Sequence, residues 1–202
     1  MPSWLLISIG YLLGSLPTAY IAGRIVKGED IRRIGDENSG AANAYRELGA
    51  WIGILVGIID AGKGILTVLI AQASGASQVV VMLTGVAAVI GHNWSVFIGF
   101  RGGRGESTAI GVLLVLVTLP MLIMTVPALI VLFWRKKVIL ASAVLFTPLS
   151  LVAWWTGTSG SLIIYSIGLP CLVGFTHFLR TRAKTAGGSK SRIPIDNNRI
   201  ND

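Results

Sequence analysis

Arg101 and Arg104 stand among Gly99, Gly102, Gly103 and Gly105 in the run GHNWSVFIGFRGGRGES, residues 91–107. Glycines let backbone N–H groups close on an anion, and two guanidinium forks can then grip its oxygens. The loop therefore reads as a phosphate-handling site. It lies directly between two strongly apolar segments, which places that site at a bilayer surface. The plainer alternative is a turn whose arginines only anchor the positive side of a membrane; four glycines in seven positions, 99–105, favour the anion. A nucleotide is not implied, because the P-loop needs G-x-x-x-x-G-K-[ST] after a strand, and Gly105 is followed by Glu106.

A second polar stretch, GDENSGAANAYRELG at 35–49, sits in a loop from Gly23 to Ala50 that holds five basic residues (Arg24, Lys27, Arg32, Arg33, Arg46) against five acidic ones (Glu29, Asp30, Asp36, Glu37, Glu47). With Ser39 as N-cap, a helix here puts Asn43 and Arg46 on one face. A surface amphipathic helix with solvated charges is the alternative. The third stretch, DAGKG, places Asp60 and Lys63 in the middle of an apolar run. Charges at that depth must face the bundle interior or a wet cavity, and three residues apart they can pair on one helix face. A structural ion pair and a direct role in chemistry are both open for them. His92 near the end of an apolar run reads first as a hydrogen-bonded helix-end residue, and no carboxylates or thiols cluster around it to suggest a metal.

The elements that carry these stretches are membrane helices. Hydrophobic residues make up 53% of the 202 residues and apolar runs of 18 or more recur, which predicts an all-α polytopic integral membrane protein. The formal charge of +8 falls in short loops and the tail, where it orients the chain against a cytoplasmic leaflet; the implied partners are the lipid bilayer and an anionic substrate, not nucleic acid. Cys171, alone inside an apolar run, allows no internal disulfide and reads as a small packing residue. No basic region precedes the first apolar run, so a cleavable signal is not indicated.

In chain order, the expected spans are Ser3–Ala22 with a kink at Pro17, Trp51–Ala71, Gln78–Gly99, two short helices over Glu106–Trp134 that turn near Pro120, Val138–Trp155 and Ser161–Phe178. Gly10, Gly14 and Ser15 are spaced for close helix packing in the first. The division at 106–134 follows from charge: Arg101 and Arg104 before this run and Arg135, Lys136 and Lys137 after it both mark cytoplasmic ends, so the chain must go in and come back. That predicts about seven transmembrane helices, N-terminus outside and C-terminus cytoplasmic. Residues 1–182 form one helical domain, and 183–202, with GGSKS and IDNNRIND, read as a polar tail disordered by composition.

Taken together, the GHNWSVFIGFRGGRG loop, the GDENSGAANAYRELG loop and the DAGKG segment resemble the bacterial acyl-phosphate:glycerol-3-phosphate acyltransferases of the PlsY type. The likeness is strongest over 14–109. It implies a seven-helix enzyme of the cell inner (plasma) membrane, active on its cytoplasmic face, that moves an acyl group from acyl phosphate to the sn-1 hydroxyl of glycerol 3-phosphate and yields lysophosphatidate and phosphate, with no metal or organic cofactor. On the matching positions, the resemblance gives phosphate handling to Arg101, Gly102, Gly103, Arg104 and Gly105, with arginines where the family usually has lysines. It gives substrate binding and orientation to Asn38, Gly40, Asn43 and Arg46, and matches His92 and His177 to the histidines of its second and third motifs. This chain departs from the pattern at Asp36 and Glu37, where a serine usually follows the glycine, at Ala42 for threonine, and after His177, where Phe178, Leu179 and Arg180 replace the usual Arg-Glu-Asn.

Acyl transfer from a mixed anhydride needs orientation of the acceptor hydroxyl and neutralisation of developing charge more than help for the leaving group. Arg46, Arg101 and Arg104 suit that task. No H-x-x-x-x-D pattern supplies a base, since five residues after His92 comes Phe97 and five after His177 comes Arg182. A substrate phosphate oxygen, Asp36 and His177 are the three proton acceptors to consider. The rival classes are a transporter for a phosphorylated metabolite, with Asp60 and Lys63 on its path, and a catalytically silent binder. The polar residues crowd onto one face of the membrane instead of its midplane, which favours the enzyme.

Overall fold

The computed structural model describes residues 1–188, and these are helical with no strand among them. α1 (Ser3–Ser15) stops where Pro17 cannot donate into the ladder, and the chain resumes as α2 (Thr18–Lys27), which ends at Gly28 in the left-handed region. The predicted kink is thus a full break. After a single 3₁₀ turn at Ile31–Arg33 come α3 (Ala41–Glu47), α4 (Ala50–Ala73) and α5 (Gln78–Asn93), then a 3₁₀ turn at Val96–Ile98 and the glycine loop. α6 (Glu106–Leu116), α7 (Thr118–Arg135), α8 (Val138–Phe146), α9 (Leu149–Trp155) and α10 (Gly160–Gly188) complete the chain. α10 continues past Ala183 to Gly188; the rest of the polar tail lies outside the described residues.

Among the described residues, six helical stretches are long and apolar enough to cross a bilayer: Ser3–Lys27, Ala50–Ala73, Gln78–Ile98, Thr118–Arg135, Val138–Trp155 and Gly160–Arg182. α6 is shorter. Its 11 residues rise about 16 Å, half of a hydrocarbon core of about 30 Å. The division of 106–134 falls at Val117, three residues before Pro120; the proline sits in the first turn of α7, where its missing N–H leaves no bond unmade. The Ser142 hydroxyl of α8 donates to the Glu106 carboxylate at the start of α6. The turn at 135–137 therefore lies at the same end of the bundle as the glycine loop, so the chain enters along α6 and returns along α7.

Close helix contacts come from the small residues. A side chain on Gly14 would strike the Ala88 carbonyl, one on Gly91 the Tyr11 carbonyl, and one on Gly111 the Ala61 carbonyl, so α1 lies tightly along α5 and α6 along α4. Val68, Val89, Val112, Leu113, Met121 and Leu149 fill the centre. A smaller cluster of Ala19, Ile31, Ala44, Leu48 and Val56 seats the 28–40 loop and α3 on α2 and α4. Cys171 does not pack inside: it is exposed on the outer face of α10. Trp4, Trp51, Trp134, Trp154 and Trp155 also project outward near helix ends, as aromatic side chains do at the two borders of a bilayer.

Candidate phosphate-binding active site

The glycine loop folds back onto the end of α5. The Gly102 N–H donates to the Asn93 carbonyl (3.1 Å) and the Gly103 N–H to the His92 carbonyl (2.9 Å). These two amides satisfy the open C-terminal carbonyls of α5, so they are not the anion nest that glycine content suggested. The glycines are instead required by contact: a Cβ on Gly102 would strike the His92 carbonyl, one on Gly103 the His92 ring, and Gly105 holds φ +79° against the Asn93 amide. His92 and Asn93 are correspondingly buried, Asn93 donating to the Thr176 hydroxyl of α10 (3.0 Å).

The first loop is built around Asn43. Fully buried, its amide nitrogen lies within hydrogen-bond reach of the carbonyls of Ile31, Ile34 and Asn38 (3.1, 3.1 and 3.0 Å), and its Oδ1 accepts the Asp36 N–H (3.1 Å). Its polar atoms are thus engaged with backbone, and it shapes the loop that presents Asp36. α3 begins at Ala41 with Gly40 as N-cap, without a side-chain cap, so Ser39 does not cap it; Ser39 is buried and its carbonyl faces Gly103. Asn38 is buried with its Oδ1 unpartnered among the described residues, and Gly40 makes room for its amide. Arg32 joins the two loops: it donates to both oxygens of Asp30 (2.7–3.2 Å), donates to the Ile98 carbonyl (2.6 Å) and stacks over Tyr20. Hydrogen bonding from Arg32 holds the Asp30 carboxyl below the usual carboxylate range.

Above this frame lies an open cleft of about 570 Å³, lined by Asp30, Arg32, Arg33, Asp36, Glu37, Asn38, Arg101, Arg104, Arg180 and Thr181. Asp36 is its electrostatic hinge: Oδ2 lies 2.6 Å from an Arg46 nitrogen and 3.8 Å from an Arg104 nitrogen, while Oδ1 accepts the Asn38 N–H. The Arg104 Nε is buried with no partner among the described residues. His177, half-buried on α10, lies within electrostatic range of both Arg104 and Asp36. The structure therefore brings Asp36, Asn38, Arg101, Arg104 and His177 to one place with Arg46 behind Asp36. It adds Arg33, which the sequence shows only as one charge of the first loop, and Arg180, which the sequence shows only as a departure from the family pattern. Arg180 lies one turn beyond His177 and donates to the Asn93 carbonyl (2.5 Å). The spacing of three residues from His177 on one helix was the available signal.

Asp60 and Lys63 do not line the cleft. Lys63 Nζ lies 2.8 Å from Asp60 and donates to the Gly14 and Leu16 carbonyls (3.2 and 2.7 Å), which α1 leaves open at its break. They form a buried ion pair apart from the cleft. His92 Nδ1 lies 3.8 Å from the same Asp60 oxygen, and its ring borders a cavity of about 10 Å³ with Ser15, Ser39 and Ser95, room for about one water. Among the described residues no three His, Cys, Asp or Glu side chains group in a way that would hold a metal.

The fold and the cleft define a polytopic membrane protein with an arginine-rich cleft where its polar loops meet. Residues 4–185 match the glycerol-3-phosphate acyltransferase family, and the chain belongs to that family. It is 52% identical over 178 residues, 88% of this chain and 96% of the relative, to glycerol-3-phosphate acyltransferase 4 of Dehalococcoides mccartyi. It is 40% identical over 175 residues, 86% of this chain and 79% of the relative, to glycerol-3-phosphate acyltransferase 2 of Moorella thermoacetica. Its fold matches the crystal structures of PlsY, an integral membrane glycerol 3-phosphate acyltransferase, in the glycerol 3-phosphate form (TM-score 0.78, 32% identity) and the lysophosphatidic acid form (TM-score 0.76, 31% identity), each over 92% of both chains.

Proposed function

We propose that this cleft transfers a fatty acyl group from acyl phosphate to the sn-1 hydroxyl of glycerol 3-phosphate, releasing lysophosphatidate and inorganic phosphate on the cytoplasmic face of the cell membrane. The observation that carries it is the gathering of Arg101, Arg104 and Arg180 in one open cleft, at the polar end of an apolar bundle, in a chain of this family. The acceptor oxygen attacks the acyl carbonyl carbon, the bond from that carbon to the phosphate oxygen breaks, and the phosphate leaves. The guanidinium groups neutralise the charge that builds on the leaving oxygens. Of the three proton acceptors, Asp36 is poorly placed, because its oxygens already meet Arg46, Arg104 and a backbone amide; a phosphate oxygen of the substrate and His177 remain.

In this proposal Arg46 acts through Asp36, Asn43 and Gly40 shape the first loop, His92 with Gly102, Gly103 and Gly105 seats the second, and no metal or cofactor takes part. The shared end of the glycine loop and the 135–137 turn supports a cytoplasmic site within a single helical unit over 1–182, with seven membrane segments of which α6 is half-length. The test is phosphate release by the purified protein from palmitoyl phosphate, with and without glycerol 3-phosphate. Release that depends on the acceptor and yields lysophosphatidate is expected. Glycerol 3-phosphate binding without turnover would leave a silent binder.

A further inference from the structure

Arg180 is a half-buried cation without an ion pair among the described residues. It also lies within electrostatic range of a like charge, Arg104. The hydrogen bond it makes among the described residues, to the Asn93 carbonyl, holds the guanidinium at the cleft without neutralising it. Two cations held together out of bulk water call for an anion. Asp36 is positioned to supply part of that compensation, since one oxygen faces both Arg46 and Arg104. The two contacts are unequal. At 2.6 Å the Arg46 contact is a charge-assisted hydrogen bond, whereas at 3.8 Å the Arg104 contact is too long to be one, and the Arg104 Nε has no partner among the described residues.

We propose that Arg180 and Asp36 form a charge-balanced pair that sets how tightly the cleft holds the phosphate group of its acceptor. Arg180 adds a cation that faces the phosphate from α10. Asp36 is the internal counter-ion of Arg104 in the empty cleft and yields that arginine when a phosphate arrives, keeping Arg46. The cleft thus avoids the repulsion of bare guanidinium groups before the substrate enters, and the affinity is the difference between what Arg180 contributes and what displacing Asp36 costs. The inference rests on glycerol 3-phosphate being the acceptor.

The experiment is calorimetric binding of glycerol 3-phosphate, without acyl donor, to the full-length protein in detergent and to Arg180→Asn, Arg180→Lys, Asp36→Asn and the Arg180→Asn/Asp36→Asn double variant. Arg180→Asn is expected to weaken binding about tenfold or more, and Arg180→Lys, which keeps the charge but not the fork, by about threefold. Asp36→Asn, which removes the charge and keeps an acceptor for Arg46, is expected to tighten binding several-fold, and the double variant to return to within about threefold of the parent. These differences shrink as salt is raised from about 0.05 to 0.5 M. A purely structural Arg180 would lower the melting temperature and would not be rescued by Asp36→Asn. Absent binding by the parent, Arg180→Asn within about twofold of it, or a double variant as weak as Arg180→Asn alone would overturn the pair. The pattern in a protein that does not turn over would remove acyl transfer and leave the pair standing; normal turnover with no effect of Arg180→Asn would remove the pair alone.

Discussion

Arg104 is the side chain on which the cleft depends most directly. Its Nε is buried without a partner among the described residues and its terminal nitrogen is only loosely held by Asp36, so its hydrogen-bonding capacity is largely reserved. Arg104→Ala should therefore lower kcat/KM for acceptor-dependent phosphate release about 100-fold or more, the loss of one charge-assisted contact in a site that offsets developing charge. Steady-state assays of both proteins measure it. Asp30 makes a second prediction. Its folded pKa is depressed, so the stability it contributes is present above its unfolded value near 4 and is lost as pH falls through the lower folded value. Thermal unfolding of the parent and Asp30→Asn in detergent should differ at pH 6 and converge as the pH is taken below about 3. At this scale the sequence singled out Asp36, Arg46 and Arg104, and the structure brings these three side chains together. The roles of Asn43 and Lys63 were not legible in it, because an amide or an ammonium spent on backbone carbonyls is indistinguishable in sequence from one held for a substrate.

The elements explain why the glycine loop has its composition. Its first function is to close on the end of α5, so Gly102→Ala, which drives a Cβ into the His92 carbonyl, should destabilise the protein by about 1–3 kcal/mol and reduce turnover by displacing Arg101 and Arg104. Denaturation and activity of the same preparation would show the two losses together; a stable, fully active variant would contradict this account. The other end of the loop is tied to α8 by the bond from Ser142 to Glu106. Ser142→Ala should cost about 1 kcal/mol by leaving a half-buried carboxylate short of a donor, whereas Glu106→Gln, which keeps the acceptor oxygen, should cost less. Helix-forming runs were evident from hydropathy. The stop of α6 at Leu116 was not, since apolar residues continue on both sides of Val117.

The whole molecule is a bundle with one charged end. α1 with α2, α5 and α10 all run toward that end: Arg180 meets Asn93 there, and Gln78 meets Ser159 at the other, so the amino terminus and the cleft lie at opposite ends. In a Cys171→Ser background, a membrane-impermeant thiol reagent should label Lys136→Cys only from the cytoplasmic side and Gly157→Cys only from the outside. The reverse pattern, with Lys136→Cys labelled only from the outside, would refute the return of the chain along α7. The sequence by itself determined the membrane class and the family and marked the two charged loops, because apolar run length and the charge on short connections act locally and can be counted along the chain. Only the tertiary structure decided that Arg180 enters the cleft, that Asp36 faces two arginines, that Asp60 and Lys63 stay beneath it, and that Cys171 faces outward. Those outcomes depend on which faces of separate helices meet, and distance through space between residues some 80 or 140 positions apart is set by packing and is not written in their spacing along the chain.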